Sequence, residues 1–232
     1  MTPTIDEWFY ASVIAGATRV LADHGIDVVL YPVADSVARA RFFEELPARR
    51  KVDAIIVNPV DGAATPAMTK LAVDAGIPLV YVNHPPAEHA AMPVGTSFVG
   101  SNEIDSGTME TEAVCKLLGG KGKVLVLMGP LENEASIVRT KDIEDVIAKE
   151  PCKGMEIVDK QVGNWNRTQG ADLTTNWLTS GVEFDAIISN NDEMAIGAIQ
   201  ALKQAGVAKA EIAQATGRAA SMLALDALML ID

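Results

Sequence analysis

The pattern of apolar and polar residues switches repeatedly between helical spacing and short unbroken apolar runs. Apolar residues at helical spacing predict a helix from Phe9 to His24, which Gly25 is well placed to end. Short apolar runs predict buried strands at 27–31, 53–57, 78–82, 124–128, 156–158 and 184–188. Helical patterns lie between them, at 36–46, 65–75, 104–118, 135–148, 167–178 and 193–205. The last apolar run, 222–231, favours one buried helix over an exposed dimer contact.

This alternation of strands and helices predicts an α/β fold with parallel sheets joined by right-handed crossovers. The loop from Val82 to Gly95 interrupts the rhythm near mid-chain, so we place a boundary between lobes close to Gly100 and Ser101. The expected fold class is two doubly wound parallel-sheet lobes. In such folds ligands bind at the carboxyl ends of the strands, which predicts a ligand cleft between the lobes.

Composition and charge exclude some classes of function for this chain. The chain has 232 residues, of which 49% are hydrophobic and 22% charged, enough to bury a core. Its formal net charge of -12 predicts a surface that repels nucleic acid and anionic membranes. The first residues lack the basic start and apolar stretch of a secretory signal. We therefore expect either a cytoplasmic chain or the mature form of an exported one.

The cysteines and histidines show no metal-ligand spacing. Cys115 and Cys152 could pair in an oxidising compartment or remain two reduced core residues, and the sequence leaves both open. His84 and His89 flank two prolines, so no helix brings them onto one face. Signatures of hydrolases, metalloproteases and nucleotide-binding loops are missing. We expect no catalytic residues, no metal and no cofactor.

Polar side chains follow several predicted strands, where ligands of α/β folds bind. Asn58 follows strand 53–57, Asn83 and His84 follow strand 78–82, and the segment 189–192 follows strand 184–188. Amides and carboxylates can donate to or accept from neighbouring hydroxyls, as recognition of a polyol requires. The same residue types cap helices, as Asn191 could for the helix that follows it. Their recurrence at successive strand ends favours binding.

Three aromatic residues and one arginine are further candidates. Trp165 lies in a polar loop before a helix, and Phe9 and Tyr10 begin the first helix. Such rings either pack in the core or stack on the C–H face of a sugar. Arg139 lies on a helix, where it is either a surface residue or a planar fork that holds two ligand oxygens.

From Asp53 to about Gly206 the chain contains seven motifs in this order, DAIIVNPVD, AGIPLVYVN, FVGSNEIDSG, GGKGKVLVLMGP, RTKDIEDVI, NWNR and NNDEMAIGAIQALKQAG. With these motifs the chain resembles the ribose-binding type of sugar-binding protein of bacterial ABC transporters. The resemblance implies a type I periplasmic-binding-protein fold whose lobes close over one monosaccharide or polyol, a pentose, hexose or inositol. It also implies a periplasmic solute receptor that does no chemistry and delivers its ligand to a membrane permease.

The resemblance also implies ligand-binding roles and lobe bounds. The implied ligand-binding residues are Phe9, Tyr10, Asn83, His84, Ser101, Arg139, Trp165, Asn191 and Gln214. His84 stands where the family has an arginine, which weakens one expected contact. The implied lobes are residues 1–100 with 215–232, and residues 101–214.

Both ends of the chain depart from this pattern. The first fifty residues resemble the inducer-binding core of LacI/GalR-type repressors, which share the fold. After Gly206 the chain resembles only the family's last strand and helix, and a segment with a ligand-binding aspartate is missing. We therefore interpret the chain as a truncated, recombined or engineered member. The alternatives are the cytoplasmic effector-binding core of a LacI/GalR-type regulator, without nucleic-acid binding of its own, or a scaffold that binds no ligand.

Overall fold

The chain divides into two compact units, residues 1–101 and 102–232, each with its own sheet. The structure, a computed structural model, describes residues 8–31, 36–45, 52–59, 62–207, 210–213 and 228–231. In those ranges no helix combines the length and the apolar character that crossing a membrane requires.

The first unit is a three-stranded parallel sheet with helices. Its helices are α1 (Trp8–Asp23), α2 (Ser36–Glu44) and α3 (Thr65–Asp74). Its strands are β1 (Ile55–Val57), β2 (Leu79–Val82) and β3 (Thr96–Val99), in the order β1-β2-β3, and short 3₁₀ helices cover Gly62–Ala64 and His89–Ala91. Leu79 lies opposite Ile55 on one side and Thr96 on the other, so β2 is the central strand.

The core of the first unit forms because α3 is amphipathic. Pro66 lies in its first turn, where its missing N–H leaves no hydrogen bond unmade. The buried face of the helix consists of Thr65, Met68, Thr69 and Ala72, at the three- and four-residue spacing of one helix side. Met68 and Ala72 pack in one cluster with Phe43, Val57, Leu79 and Tyr81.

The second unit is a five-stranded sheet with helices on both faces. Its helices are α4 (Glu103–Leu117), α5 (Glu134–Ile147), α6 (Arg167–Ser180) and α7 (Asp192–Gln204). Its strands are β4 (Lys121–Met128), β5 (Gly154–Val162), β6 (Ala186–Ser189), β7 (Ala210–Ala213) and β8 (Leu228–Ile231), in the order β5-β4-β6-β8-β7. Strands β5, β4 and β6 are parallel, whereas β8 runs antiparallel to β6 and β7.

Alternate residues of β4 pack on opposite faces of this sheet. Val124 and Val126 pack with residues of α4 and α5, and Leu125 and Leu127 pack with residues of α6 and α7. A strand buried on both faces is uniformly apolar, which is why this run was recognisable in the sequence. Each of the four helices begins after an asparagine whose side-chain oxygen accepts a backbone N–H, at Asn102, Asn133, Asn166 and Asn191.

Cys115 and Cys152 form a disulfide with their Cα atoms 5.4 Å apart. The bond joins the last turn of α4 to the turn that precedes β5, inside the cluster that includes Val124 and Ile143. Of the two alternatives that the sequence left open, the structure shows the paired one.

Two predicted elements differ from the structure. Residues 27–31 form no strand, and Val29 and Leu30 are 67% and 50% exposed. A strand needs a neighbour for its backbone, and β-propensity alone does not supply one. The end of the predicted helix 222–231 is instead strand β8, because Leu228–Ile231 pairs with the edge of β6 and with β7.

This pairing also bears on the predicted lobes. We assigned residues 215–232 to the first lobe, but Leu228–Ile231 belongs to the sheet of the second unit. The unit boundary follows Ser101, one residue from the predicted position. The placement of residues 215–227 stays a prediction, since they lie outside the described ranges.

Candidate functional site

The loops after β5 and β6 begin beside the carboxyl end of β4. Gly163 N donates to Met128 O at 2.8 Å, and Asn190 N donates to Leu127 O at 2.9 Å. The residues that follow these strands therefore collect at one edge of the second sheet, where ligands of α/β folds bind. Trp165, Asn190 and Asn191 are among them.

Trp165 has a backbone conformation that bulky residues rarely adopt. Its φ is 59°, and that of the preceding Asn164 is 52°, so both lie in the left-handed region. Such a residue costs of order 1–3 kcal/mol and persists only where its surroundings hold it. One contact that stabilises this conformation comes from the amide of Asn191, whose Nδ2 donates to Trp165 O at 3.2 Å. Strained backbone of this kind clusters at binding and catalytic sites.

The half-buried indole of Trp165 lies against Gly129 and Arg139. A Cβ on Gly129 would come within 2.2 Å of Trp165 Cζ2, so the ring requires a glycine beneath it. The Arg139 guanidinium carbon lies 5.9 Å from the ring centroid, within the range of a cation–π interaction. A flat aromatic surface and a planar cation therefore lie side by side at this sheet edge.

Arg139 is buried and bonded rather than exposed on its helix. Its Nε donates to Glu103 Oε2 at 2.7 Å, and its Nη1 donates to Asn190 O. These bonds join α5 to the start of α4 and to the loop after β6. They also fix the plane of the guanidinium, since two of its nitrogens are held by partners on different elements.

The segment after β6 is held from several sides. Ser189 N donates to Oε1 of the buried Glu110 at 3.0 Å, and Asn190 Nδ2 donates to Thr140 Oγ1 at 2.8 Å. Asn191 Oδ1 accepts the N–H of Met194 at 3.1 Å, which makes Asn191 the cap of α7. The structure thus gives Asn191 a capping and a loop-holding contact, and its ligand-binding role stays a prediction.

The strand ends of the first unit also present polar groups. Asn58, directly after β1, is 1% exposed, and neither Nδ2 nor Oδ1 has a hydrogen-bond partner within the described residues. An unsatisfied buried amide costs about 1–3 kcal/mol, so its presence calls for an explanation. Asn83, after β2, has a φ of 67° and donates its N–H to Val99 O at 2.9 Å. His84 follows it.

Asn58 was missing from the predicted set of ligand-binding residues, although the sequence placed it at a strand end. Its position at the end of β1, next to the strand that leads to Asn83, was the available signal. Its burial without a partner could be found only from the structure.

The remaining predicted residues belong to other segments of the chain. Phe9 and Tyr10 lie in the first turn of α1 with their ring centroids 5.2 Å apart and nearly perpendicular. Ser101 ends the first unit and is half-buried. Gln214 lies outside the described residues. In the described ranges no group of three or more His, Cys, Asp or Glu residues could hold a metal ion.

A parallel three-stranded sheet and a mixed five-stranded sheet, both with polar residues at strand ends, are typical of an α/β protein of the periplasmic-binding type. The family model for the periplasmic binding protein domain matches residues 1–229, so the chain belongs to this family. The LacI-like character of the N-terminal segment stays a prediction.

Two curated relatives are similar to much of the chain. One from Rhizobium meliloti, named "Putative rhizopine-binding protein", is 58% identical over 182 residues, which are 78% of this chain and 59% of that protein. A xylitol-binding protein from Mycolicibacterium smegmatis (strain ATCC 700084 / mc(2)155) is 37% identical over 158 residues, 67% of this chain and 43% of that protein. The chain thus spans less than two thirds of the length of either relative.

Two solved structures have the same fold. An ABC transporter solute binding protein from Bacillus halodurans C-125 with bound myo-inositol has a TM-score of 0.77 and 34% identity, covering 88% of this chain and 69% of that chain. A periplasmic solute binding protein from Actinobacillus succinogenes 130z with bound D-allose has a TM-score of 0.79 and 30% identity, covering 88% and 72%. These similarities confirm the predicted α/β fold class.

Proposed function

We propose that this chain binds a monosaccharide or polyol, a pentose, hexose or inositol, without transforming it. The observation that carries the proposal is the pair formed by Trp165 and Arg139 at the carboxyl edge of the second sheet. An indole offers a flat apolar surface to the C–H face of a ring, and a guanidinium is a planar hydrogen-bond donor suited to hydroxyl oxygens. Neither group is a nucleophile or a general base.

We further propose that Asn58, Asn83 and His84, at strand ends of the first unit, are solute contacts. The unbonded amide of Asn58 has one acceptor and two donor hydrogens to offer, which suits vicinal hydroxyls. Xylitol, myo-inositol and D-allose, named for the relatives above, are uncharged molecules rich in hydroxyls. Phe9, Tyr10, Ser101 and Gln214 are further candidates, supported by the resemblance.

The proposed setting is the periplasm, with the permease of an ABC-type importer as the partner. The Cys115–Cys152 disulfide supports it, because such bonds persist in oxidising compartments and are rare in the cytoplasm. The same bond disfavours the cytoplasmic regulator. The two curated relatives described above carry the names of binding proteins, not of repressors.

Thermal unfolding with and without millimolar myo-inositol, xylitol, D-allose and ribose tests the proposal. A solute that binds only the folded chain, at a hundred times its Kd, adds about 2.7 kcal/mol to the free energy of unfolding. We expect at least one of them to raise the Tm. If none does, the chain is a scaffold without a ligand and the proposal is wrong.

Tryptophan fluorescence locates the site. Trp165 lies at the proposed site, whereas Trp177 lies in the core on α6, bonded to Asp159. We expect solute to change the emission of wild type and of Trp177→Phe, and to leave that of Trp165→Phe nearly unchanged. Trp8 is present in all three proteins. A response that Trp165→Phe retains would place the solute elsewhere.

A further inference from the structure

The loop between β2 and β3 begins with Asn83 and His84 and is tied down at Glu88. We propose that Glu88 is a positioning residue: by anchoring this loop on α3, it sets where Asn83 and His84 meet the solute. The inference rests on the proposed function, and it concerns a residue that lies four and five positions after the proposed contacts His84 and Asn83.

The anchor is the carboxylate of Glu88, which lies against two threonine hydroxyls on one face of α3. The Thr69 hydroxyl donates to Glu88 Oε1, and Glu88 Oε2 lies 3.4 Å from Thr65 Oγ1. The N–H of Ala87 donates to Thr65 Oγ1 at 2.9 Å. Both threonines are buried in the first turns of α3, where a negative charge is also stabilised by the helix dipole.

A buried tyrosine of β2 holds the two threonines in turn. The Tyr81 hydroxyl lies 2.9 Å from Thr69 Oγ1 and donates to Thr65 O at 3.0 Å. Burial raises the pKa of Tyr81 to about 12, so this hydroxyl keeps its proton at every physiological pH. The network therefore joins the strand that leads to Asn83 with the loop that leaves it.

The segment between the two anchored points is stiff. Pro85 and Pro86 have φ fixed near −65° by their rings, and each proline also restricts the residue before it, which includes His84. On the other side, the N–H of Asn83 is bonded to Val99 O. A shift of Glu88 is therefore passed along the backbone to His84 and Asn83 instead of being absorbed by free torsions.

A purely stabilising role for Glu88 makes a different prediction from a positioning role. A residue that only stabilises the unit changes the Tm and leaves the affinity of the folded protein unchanged. A positioning residue lowers the affinity even in conditions where every molecule is folded. Ile55→Val is the matched control, since it destabilises the same unit by about 0.5–1.5 kcal/mol from within the core of β1.

The experiment measures Kd by titration calorimetry for the solute that shifts the wild-type Tm, well below the Tm of every variant. We expect Glu88→Ala and Thr69→Val to raise Kd by about fivefold or more, because a site loosened by about an ångström loses much of its affinity. Thr69→Ser keeps the hydroxyl, so we expect it to bind solute with near wild-type affinity. Ile55→Val changes Kd by less than about twofold.

Amide hydrogen exchange provides a second readout that needs no solute. We expect faster exchange at Ala87 and at the neighbouring loop amides in Glu88→Ala and Thr69→Val, and not in Ile55→Val. If wild type binds and Glu88→Ala binds equally well, the positioning role is wrong and the proposed function stands. If wild type binds none of the solutes, the proposed function fails and the positioning role fails with it.

Discussion

Arg139 donates from Nε to Glu103 Oε2 across 2.7 Å, and the two side chains are only 10% and 14% exposed. The pair joins the middle of one helix to the first residue of another, 36 positions earlier in the chain. It neutralises the charge of a guanidinium that also contacts the indole of Trp165. The proposed site therefore presents planar donors with little net charge, as an uncharged polyol requires.

Glu103→Gln should lower both stability and affinity. The amide can still accept a bond from Arg139, but the buried guanidinium loses the negative charge of Glu103 beside it, so we expect a loss of about 1–3 kcal/mol. Urea unfolding measures this loss, and calorimetry measures the affinity for solute. The control is Asp145→Asn, which breaks the exposed pair with Lys141 on the same helix as Arg139 and should change neither quantity. Equal behaviour of the two variants would contradict a role for the buried pair.

Asn58→Leu should raise stability and abolish binding. Leucine fills a similar volume and removes an amide that is buried without a hydrogen bond, which predicts a gain of about 1 kcal/mol. Denaturant unfolding without solute and titration with solute test the two halves of this prediction. Asn190→Leu is the comparison, because Asn190 Nδ2 is bonded to Thr140 and its loss should destabilise. A less stable Asn58→Leu protein would mean that water satisfies this amide in solution.

Gly129→Ala should weaken solute binding by displacing the ring of Trp165. The new Cβ would lie 2.2 Å from Cζ2, so the indole must leave its position over Gly129. Tryptophan emission and calorimetric affinity report the displacement. Gly16→Ala, in α1, meets no atom within 4 Å and should instead stabilise by about 0.5–1 kcal/mol. Unchanged affinity in Gly129→Ala would show that the position of the ring is unimportant for binding.

Asp159 should make stability depend on pH in the acid range. Burial acts to raise the pKa of this carboxyl, but bonds from Trp177, Gln161 and the backbone of Lys160 outweigh it, and the pKa is lower than its ordinary value. A depressed carboxyl pKa stabilises the fold above the pKa of the unfolded chain, and that contribution is lost as pH falls through the folded value.

Urea unfolding of wild type and Asp159→Asn between about pH 7 and about pH 3 tests this linkage. We expect the variant to be less stable by about 1 kcal/mol near neutral pH, since Asp159 accepts the Trp177 indole N–H at 2.7 Å. The difference should shrink below about pH 4, where the wild-type carboxyl is protonated in the unfolded chain. A difference that stays constant with pH would show that the charge of Asp159 is not involved.

The helices and strands of this chain were predictable where burial produces a local pattern of apolar residues in the sequence. Strand β4 was recognisable because Val124 to Met128 is apolar on both faces, and α1 because its apolar spacing ends at a glycine. Residues 27–31 and 228–231 were misjudged because pairing decides whether such runs form strands. The same kind of apolar run is unpaired in the first case and forms the strand Leu228–Ile231 in the second.

The candidate site was predictable in its residue types and not in its geometry. Arg139, Trp165 and Asn191 were singled out, and the structure brings them together. The glycine under the indole and the partner of the guanidinium depend on contacts between distant segments, which a single sequence does not encode in any local pattern. For Asn58, the position at a strand end was visible in the sequence, but its burial without a hydrogen-bond partner was not.

Burial of the disulfide determines when it can form relative to folding of the second unit. Cys115 and Cys152 lie in the core of the second unit, out of reach of oxidants and reductants once that core has closed. Thiol–disulfide exchange requires access to the sulfur atoms, so the bond has to form while the chain is still opening and closing. A chain that folds first in a reducing compartment traps two thiols. Production by secretion and production in the cytoplasm should therefore yield two kinetically separate forms of one sequence.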